Sequence, residues 1–234
     1  MRLSPQYVYF DLDDTLLDHK RAERLALTDL VAAYPAWFNH ASAEVVTATY
    51  KDINRDLWMA YGAGEIDRPT LSRERFLQTV RAVGGAVLVS PEEMSSVYMG
   101  FYAAHWTWLE GAENAFERIA RRYAVGVVTN GFAEIQRAKL ERFPTITRVS
   151  TANVISEEVG YLKPDHRLFQ HAAEQAGKDP GSILYVGDSL VSDVEGGIDA
   201  GWQVAWYNPS QTKTTRQGAF SFADWDELCD ALAV

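Results

Sequence analysis

Four short apolar runs in this sequence alternate with helical patterns, and three of them end directly in polar residues. These β-type runs lie at Tyr7–Phe10, Ala124–Thr129, Ile183–Val186 and Gln203–Trp206, and a shorter fifth is predicted at Val149–Ser150. Helical patterns lie between them at Ala133–Arg142, His166–Gln175 and Leu190–Asp199. Strands that alternate with helices predict an α/β fold, in which helices cover both faces of a parallel sheet.

The interval between the first and second runs departs from this alternation. From about residue 17 to residue 122 no strand signal is as strong, and helical patterns lie at Lys20–Ala33, Ala41–Trp58, Thr70–Val83 and Pro91–Trp108. A simple crossover between parallel strands needs only about 10–12 residues. We therefore predict an inserted all-helical cap at residues 17–108, and an α/β core made of residues 1–16 and 109–234.

The composition limits the classes of partner. The chain of 234 residues is 47% hydrophobic and carries a formal net charge of −10, which disfavours binding to a nucleic acid polymer or to an anionic membrane. Its longest uncharged apolar stretch, "AVGGAVLVS", is far shorter than the ~18 residues of a membrane span. The single cysteine, Cys229, suits a reducing compartment. We predict a cytoplasmic protein, and the net charge still allows a small anionic substrate, which needs only a local positive site.

Three acidic side chains directly follow the first run. The segment "YVYFDLDDTLLD" places Asp11, Asp13 and Asp14 at a strand end, where crowded carboxylates repel one another and lose hydration. Asp11 can act as a nucleophile toward phosphorus, and Asp13 can act as the general acid and then the general base. The same spacing also occurs in calcium loops and in Asx-turns, so this segment alone leaves those alternatives open.

The second run ends in groups that suit a phosphate. In "VVTNG", Thr129 ends the strand, and Asn130 and Gly131 open a helix. A hydroxyl group, free N–H groups and the positive end of a helix together can bind a phosphate. An ordinary N-cap followed by a turn explains the same residues, and this segment alone favours that interpretation.

Two later segments supply a cation and further carboxylates. In "VGYLKP", Lys163 can neutralise both a phosphoryl oxygen and a nearby carboxylate, although a lone lysine is usually solvated. In "YVGDSLVSDVEGG", Asp188 and Asp193 offer the oxygen ligands that Mg²⁺ prefers, although they could equally cap a helix. Each of these signals is weak when it is taken alone.

Taken together and in this order, the four segments resemble the signature motifs of the haloacid dehalogenase (HAD) superfamily. The matching words are "DLDDT", "TNG", the lysine of "GYLKP" and "GDSLVSD", and they span essentially the whole chain. The long helical insertion after the first word is similar to the type 1 cap of the first subfamily. The resemblance therefore implies a Rossmann-like core with an inserted helical cap.

The resemblance also implies a role for each motif residue. Asp11 would be the nucleophile that forms an aspartyl-phosphate, and Asp13 would be the acid/base. Thr129 and Lys163 would hold the phosphoryl oxygens. Mg²⁺ would be held by the Asp11 carboxylate, the Asp13 backbone carbonyl and Asp188, with Asp193 as a ligand or directly behind one. The cation and Lys163 would then offset the crowded carboxylates.

Asp13 separates the activities found in this superfamily. Relatives that cleave carbon–halogen bonds lack an acidic residue at that place, so the resemblance implies hydrolysis of a phosphate ester. A phosphomutase keeps the residue and remains an alternative. A non-enzymatic module that binds a phosphorylated ligand is less favoured, because the residues such a module would have lost, Asp11, Asp13 and Lys163, are all present.

Longer words resemble the bacterial pyrimidine 5′-nucleotidases of the superfamily. They are "INRDLWMAYGAGEIDRPTLSRERF" in the predicted cap, "TNGFAEIQRAKL" and "WQVAWYNP". This resemblance implies a phosphatase of nucleoside 5′-monophosphates with a pyrimidine preference, whose leaving nucleoside contacts Asn54, Trp58 and Arg75. The "TNG" word with Gln136 also resembles N-acylneuraminate-9-phosphatases, so a sugar phosphate remains the alternative substrate.

Overall fold

The computed structural model describes residues 3–234 of the chain. These residues form two compact units. The first contains the described residues up to Asp18 together with Trp108–Val234, and the second is His19–Thr107. Among residues 3–234, no helix combines the length and the apolar character that crossing a membrane requires.

The second unit is all-helical. Its helices are α1 (His19–Ala33), α2 (Ala43–Gly62), α3 (Arg68–Ala82) and α4 (Pro91–Ala104), with a 3₁₀ turn at Pro35–Phe38. Side chains at the starts of α2, α3 and α4 accept hydrogen bonds from backbone N–H groups of the first turn, which stabilises each helix end; these caps are Ser42, Asp67 and Ser90. Aromatic rings fill the bundle, among them Tyr50, Phe76, Tyr98 and Tyr102.

Six parallel strands form the sheet of the first unit, in the spatial order β3-β2-β1-β4-β5-β6. Their bounds are β1 Tyr7–Phe10, β2 Ala124–Thr129, β3 Ser150–Ile155, β4 Ile183–Gly187, β5 Gln203–Tyr207 and β6 Ala219–Phe222. The predicted parallel sheet is therefore confirmed. The chain order reverses at β1, and the carboxyl ends of strands beside such a reversal are where α/β sheets bind ligands.

Helices cover both faces of this sheet, as predicted. They are α5 (Ala112–Ala120), α6 (Ala133–Arg142), α7 (Pro144–Val149), α8 (Ser156–Val159), α9 (His166–Ala176), α10 (Gly196–Asp199) and α11 (Trp225–Leu232). On one face Tyr9 of β1 packs in a cluster with Phe169 of α9. On the other face the ring of Phe10 lies 5.2 Å from that of Phe116 on α5.

Two edge strands differ from the sequence prediction. The fifth strand was expected at Val149–Ser150, but Val149 ends α7 and β3 runs from Ser150 to Ile155. This strand lies at one edge of the sheet and its first four residues are exposed or half-buried, so the sequence has no apolar run there. The other edge strand, β6, has only four residues and was not predicted.

Several helices also differ from prediction, among them α2, which ends at Gly62 rather than at Trp58. Helix α4 ends at Ala104 rather than at Trp108, and Trp108 instead forms an antiparallel bridge with Leu17. The stretch predicted as one helix at 190–199 begins as a wider π-helical turn, Leu190–Glu195, before α10. In that turn the N–H groups of Asp193 and Val194 both donate to the carbonyl of Ser189. Such turns recur at functional sites.

Candidate active site

The loop after β1 supplies the first two carboxylates. The N–H of Asp11 continues the sheet by donating to the carbonyl of Val186 on β4, at 2.8 Å. The chain then turns tightly, because the N–H of Asp14 donates to the carbonyl of Leu17 at 2.7 Å. Asp11 is buried, whereas the side chain of Asp13 keeps 23% of its surface exposed.

The ammonium group of Lys163 lies in a buried network. Its Nζ lies 2.7 Å from Oδ1 of Asp11, 2.7 Å from Oδ1 of Asp193 and 2.7 Å from the hydroxyl oxygen of Tyr185. Burial by itself lowers the pKa of Lys163, but Asp11 and Asp193 outweigh it and raise that pKa above its ordinary value. Lys163 therefore stays charged at neutral pH.

Asn130 fixes the backbone that carries Lys163. The Asn130 side chain donates from Nδ2 to the Lys163 carbonyl at 3.0 Å, and its Oδ1 accepts from the Lys163 N–H at 2.8 Å. The N–H of Gly131 donates to Oγ of Ser156 at 3.1 Å. Both residues were expected to touch substrate, and the structure gives the Asn130 side chain and the Gly131 N–H protein partners.

Three carboxylates meet beside Lys163. Asp11, Asp188 and Asp193 each offer an oxygen, and these oxygens all lie within 4.8 Å of one another. Burial raises the pKa of Asp11 well above its ordinary value; Lys163 opposes this rise, and Asp193 and Asp188 add to it. One ammonium thus does not fully compensate this cluster. Its all-oxygen donor set fits a hard divalent cation such as Mg²⁺.

Gly187 makes room for this arrangement. A Cβ atom at that position would lie 2.5 Å from Cγ of Asp193, a distance that no ordinary contact allows. Oδ2 of Asp193 also accepts from the N–H of Ser189 at 2.9 Å, so both of its carboxylate oxygens have donors. The glycine of "VGDS" therefore allows Asp193 to lie directly beside the end of β4.

Asp13 has two partners on α6 that the sequence analysis did not assign. Nζ of Lys139 lies 2.6 Å from Oδ1 and 2.7 Å from Oδ2 of Asp13. Nε2 of Gln136 donates to Oδ2 at 3.0 Å. Gln136 and Lys139 are both buried, with 1% and 2% of the residue surface exposed. Their three-residue spacing, which places them on one face of a helix, was the available signal in "TNGFAEIQRAKL".

Thr129 contacts Gln136, one of these two α6 residues. It ends β2 fully buried, and its Oγ1 accepts from Nε2 of Gln136 at 2.7 Å. Its own hydrogen is directed at the carbonyl of Asn130 over 3.4 Å, which is a long contact for a hydroxyl donor. A phosphoryl oxygen would be a better acceptor for that hydrogen.

The three residues expected to contact the leaving group belong to the helical unit. Arg75 is buried, and its guanidinium carbon lies 5.0 Å from the ring centroid of Phe76. Trp58 on α2 is half-buried, with its ring edge-to-face with Tyr61 at 5.6 Å. Oδ1 of Asn54 and Nε of Arg75 are buried without a hydrogen-bond partner among the described residues.

Known proteins are similar to this chain in sequence and in fold. A family model described as haloacid dehalogenase-like hydrolase matches residues 6–201. The pyrimidine 5′-nucleotidase YjjG of Escherichia coli is 32% identical, over 86% of this chain and 85% of its own length. The N-acylneuraminate-9-phosphatase of Rattus norvegicus is 26% identical, over 87% of this chain and 82% of its own length. The magnesium-bound structure of the HAD-hydrolase YfnB of Bacillus subtilis superposes with a TM-score of 0.84 at 26% identity, over 99% of this chain and 100% of that one.

Proposed function

Since this chain belongs to the haloacid dehalogenase-like hydrolases, we propose that it is an Mg²⁺-dependent phosphomonoesterase that acts through an aspartyl-phosphate and prefers pyrimidine nucleoside 5′-monophosphates. The observation that carries the proposal is the buried contact of 2.7 Å between Lys163 and Asp11, with Asp13 two residues further on. A carboxylate nucleophile, a cation for the phosphoryl oxygens and a second carboxyl group for proton transfer are the parts that phosphoryl transfer needs.

Each residue has a defined task in this reaction. A carboxylate oxygen of Asp11 attacks phosphorus, the bond from phosphorus to the ester oxygen breaks, and the leaving oxygen takes its proton from Asp13. The Asp13 carboxylate then takes a proton from water, whose oxygen attacks the phosphorus of the aspartyl-phosphate. Inorganic phosphate leaves and Asp11 is regenerated. Lys163 and the Thr129 hydroxyl hold the phosphoryl oxygens through both steps.

Mg²⁺ would be held by the carboxylate oxygens of Asp11 and Asp188 and by the backbone carbonyl of Asp13. Asp193 would either bind the ion as well or contact one of these ligands. When bound, the ion supplies positive charge that stabilises the phosphoryl group in the transition state. The proximity of the three carboxylates supports this set, as does the magnesium in the YfnB structure. The raised pKa of Asp11 points the same way, because a cation bound beside this carboxylate would favour its charged form.

Specificity for the leaving group is assigned to the helical unit, which we take as the cap. The 32% identity to YjjG against 26% to the N-acylneuraminate-9-phosphatase supports a pyrimidine nucleotide over a sugar phosphate. Trp58 offers a half-buried flat ring on which a base can stack. Asn54 and Arg75 offer an unpaired acceptor and an unpaired donor, which suit the polar edge of a base.

A panel of phosphate esters assayed with Mg²⁺ tests the proposal. We expect pyrimidine nucleoside monophosphates to exceed sugar phosphates in kcat/KM, chelation to abolish turnover, and Mg²⁺ to restore it. Ca²⁺ should substitute poorly, since its looser and higher coordination disturbs the attack geometry. Full turnover in excess chelator would contradict the metal-dependent mechanism. N-acylneuraminate 9-phosphate ranking first would contradict only the nucleotide preference.

The Trp58→Ala variant tests the role of the cap. It should lower kcat/KM for a pyrimidine nucleotide more than for 4-nitrophenyl phosphate, whose small leaving group makes few contacts there. Met59→Ala is the matched control, because Met59 is the next residue on the same helix and is 68% exposed. Equal losses on both substrates would show that Trp58 only packs the bundle.

A further inference from the structure

Without side-chain partners, the carboxyl group of Asp13 would rotate about its side-chain bonds. The side chain is 23% exposed and lies at the start of a tight turn, so rotation about its side-chain bonds can carry the carboxyl group into solvent. A proton donor contributes only when it is held within hydrogen-bond reach of the leaving oxygen, and a displacement of about 1 Å can cost on the order of 10²-fold in rate. The partners of Asp13 therefore bear directly on the reaction.

Lys139 restrains both oxygens of this carboxyl group. The Lys139 side chain is 3% exposed, and its Nζ lies 2.6 and 2.7 Å from the two oxygens of Asp13. A lysine with so little exposure is costly unless its ammonium group is paired. The pair joins α6 to the loop after β1, elements more than 120 residues apart in sequence.

Gln136 extends the restraint to the phosphate-binding hydroxyl. Three acceptors converge on its Nε2: Oδ2 of Asp13 at 3.0 Å, Oγ1 of Thr129 at 2.7 Å and the carbonyl of Asn130 at 3.0 Å. This convergence assigns the amide nitrogen to that position. Since Thr129 accepts from Gln136, the Thr129 hydrogen is left to donate elsewhere.

The backbone at Gly131 is shaped around Gln136. Gly131 adopts φ +150°, and a Cβ atom there would lie 3.0 Å from both Cγ and Cδ of Gln136. The "TNG" segment thus leaves space for this side chain as well as opening α6. Oε1 of Gln136 is buried and lacks a donor among residues 3–234, so the amide is held entirely through its nitrogen.

Building on the function proposed above, we propose that Lys139 and Gln136 are positioning residues that hold the Asp13 carboxyl group in the orientation for proton transfer. Gln136 also ties that orientation to the hydroxyl of Thr129, so that the proton donor and the phosphate-binding group keep a fixed relation. In this role each side chain acts through Asp13 or Thr129 rather than through a contact with the substrate.

A series of aryl phosphates separates this role from a merely structural one. An aryl phosphate whose phenol has a low pKa releases the phenolate without protonation. Phenyl phosphate, whose phenol is far less acidic, needs the proton of Asp13 as its bond to phosphorus breaks. In Lys139→Met, kcat/KM should fall by about 100-fold for phenyl phosphate but by less than about 5-fold for 2,4-dinitrophenyl phosphate. Arg142→Met is the matched control, since Arg142 is an exposed basic residue on the same helix.

Two further variants keep the test decisive where Lys139→Met folds poorly. Gln136→Leu should show the same dependence on the leaving group, together with a raised KM because Thr129 loses its donor. In the Asp13→Asn background, Lys139→Gln should add little further loss, since a residue that acts only through Asp13 has nothing left to position.

The outcomes distinguish this inference from the proposed function. A wild-type protein that hydrolyses none of these esters overturns both. An active wild type, with Lys139→Met and Gln136→Leu losing the same factor on every ester, overturns the positioning role alone. Full additivity of Lys139→Gln with Asp13→Asn overturns it as well, whereas a loss confined to poor leaving groups supports it.

Discussion

The hydroxyl oxygen of Tyr185 lies 2.7 Å from Nζ of Lys163, in the fully buried interior behind Asp11. The same hydroxyl donates to the carbonyl of Val128 at 2.8 Å, so it accepts from the ammonium group. Burial raises the pKa of Tyr185 well above its ordinary value, and Asp193 and Asp11 add to the rise, so the hydroxyl stays protonated. Lys163 thereby has three acceptors for its three N–H bonds.

The first prediction removes the third acceptor. Tyr185→Phe should lower the free energy of unfolding by about 1–3 kcal/mol, because a buried charged donor loses a partner. It should also weaken inhibition by inorganic phosphate, since Lys163 gains freedom to move away from the phosphoryl oxygens. Urea denaturation and the inhibition constant measure the two effects.

Tyr9→Phe is the matched control for this variant. Tyr9 is equally buried and donates to the carbonyl of Ala172 at 2.8 Å, so its loss should cost stability as well. The inhibition constant of inorganic phosphate for Tyr9→Phe should equal that of the wild type. Phosphate inhibition unchanged in both variants would mean that Tyr185 serves packing alone.

The second prediction separates the two carboxylates of the first loop. Asp11→Asn should lower turnover of 4-nitrophenyl phosphate by a factor of about 10⁴ or more, because an amide oxygen is a poor nucleophile. Asp13→Asn should also be severely impaired, yet it should accumulate a phosphoenzyme with this good leaving group, since its main loss lies in activating water. Intact-mass measurement after acid quenching detects the added phosphoryl group. Turnover by Asp11→Asn within tenfold of wild type would contradict the assignment.

The central strands could be predicted from the sequence because a strand that is buried on both faces requires a continuous run of apolar residues. β1 occupies the predicted residues Tyr7–Phe10, and β2 the predicted residues Ala124–Thr129. The edge strands could not be predicted in this way. β3 alternates between exposed and half-buried residues at its start, and β6 is short, so neither carries that signal.

The candidate site also contains residues whose positions could be predicted from the sequence and residues whose contacts could not. Asp11, Thr129 and Asp188 come directly after, or at the end of, predictable strands, so their approach to one sheet edge follows from topology. The contacts of Gln136 and Lys139 depend on how α6 is rotated about its axis, which packing determines and spacing alone does not. The sequence places both on one helix face without saying that this face meets Asp13.

The third prediction concerns the glycine beside the carboxylates. Gly187→Ala would place a Cβ atom 2.5 Å from Cγ of Asp193, so Asp193 must move. Saturating Mg²⁺ at about 100 times its Kd should stabilise the wild type by about 2.7 kcal/mol, and the variant by clearly less. Thermal unfolding with Mg²⁺ and with chelator measures the difference. Gly181→Ala is the control, because no atom lies within 4 Å of the added carbon there, and it should respond to Mg²⁺ as the wild type does.

The fourth prediction concerns alkaline pH and the helical unit. Burial raises the pKa of Tyr50 to about 12; Arg75 opposes this rise and Glu23 adds to it. The folded pKa thus exceeds the value of about 10 in an unfolded chain. The unfolded chain therefore releases this proton first as pH rises, so the stability from neutral Tyr50 is complete below pH ~10 and declines from there toward pH ~12. In Tyr50→Phe that contribution is absent, so urea denaturation between pH 9 and 11 should give a shallower decline, by up to about 1.4 kcal/mol per pH unit. Parallel curves for the two proteins would mean that Tyr50 ionises equally in the folded and unfolded chains.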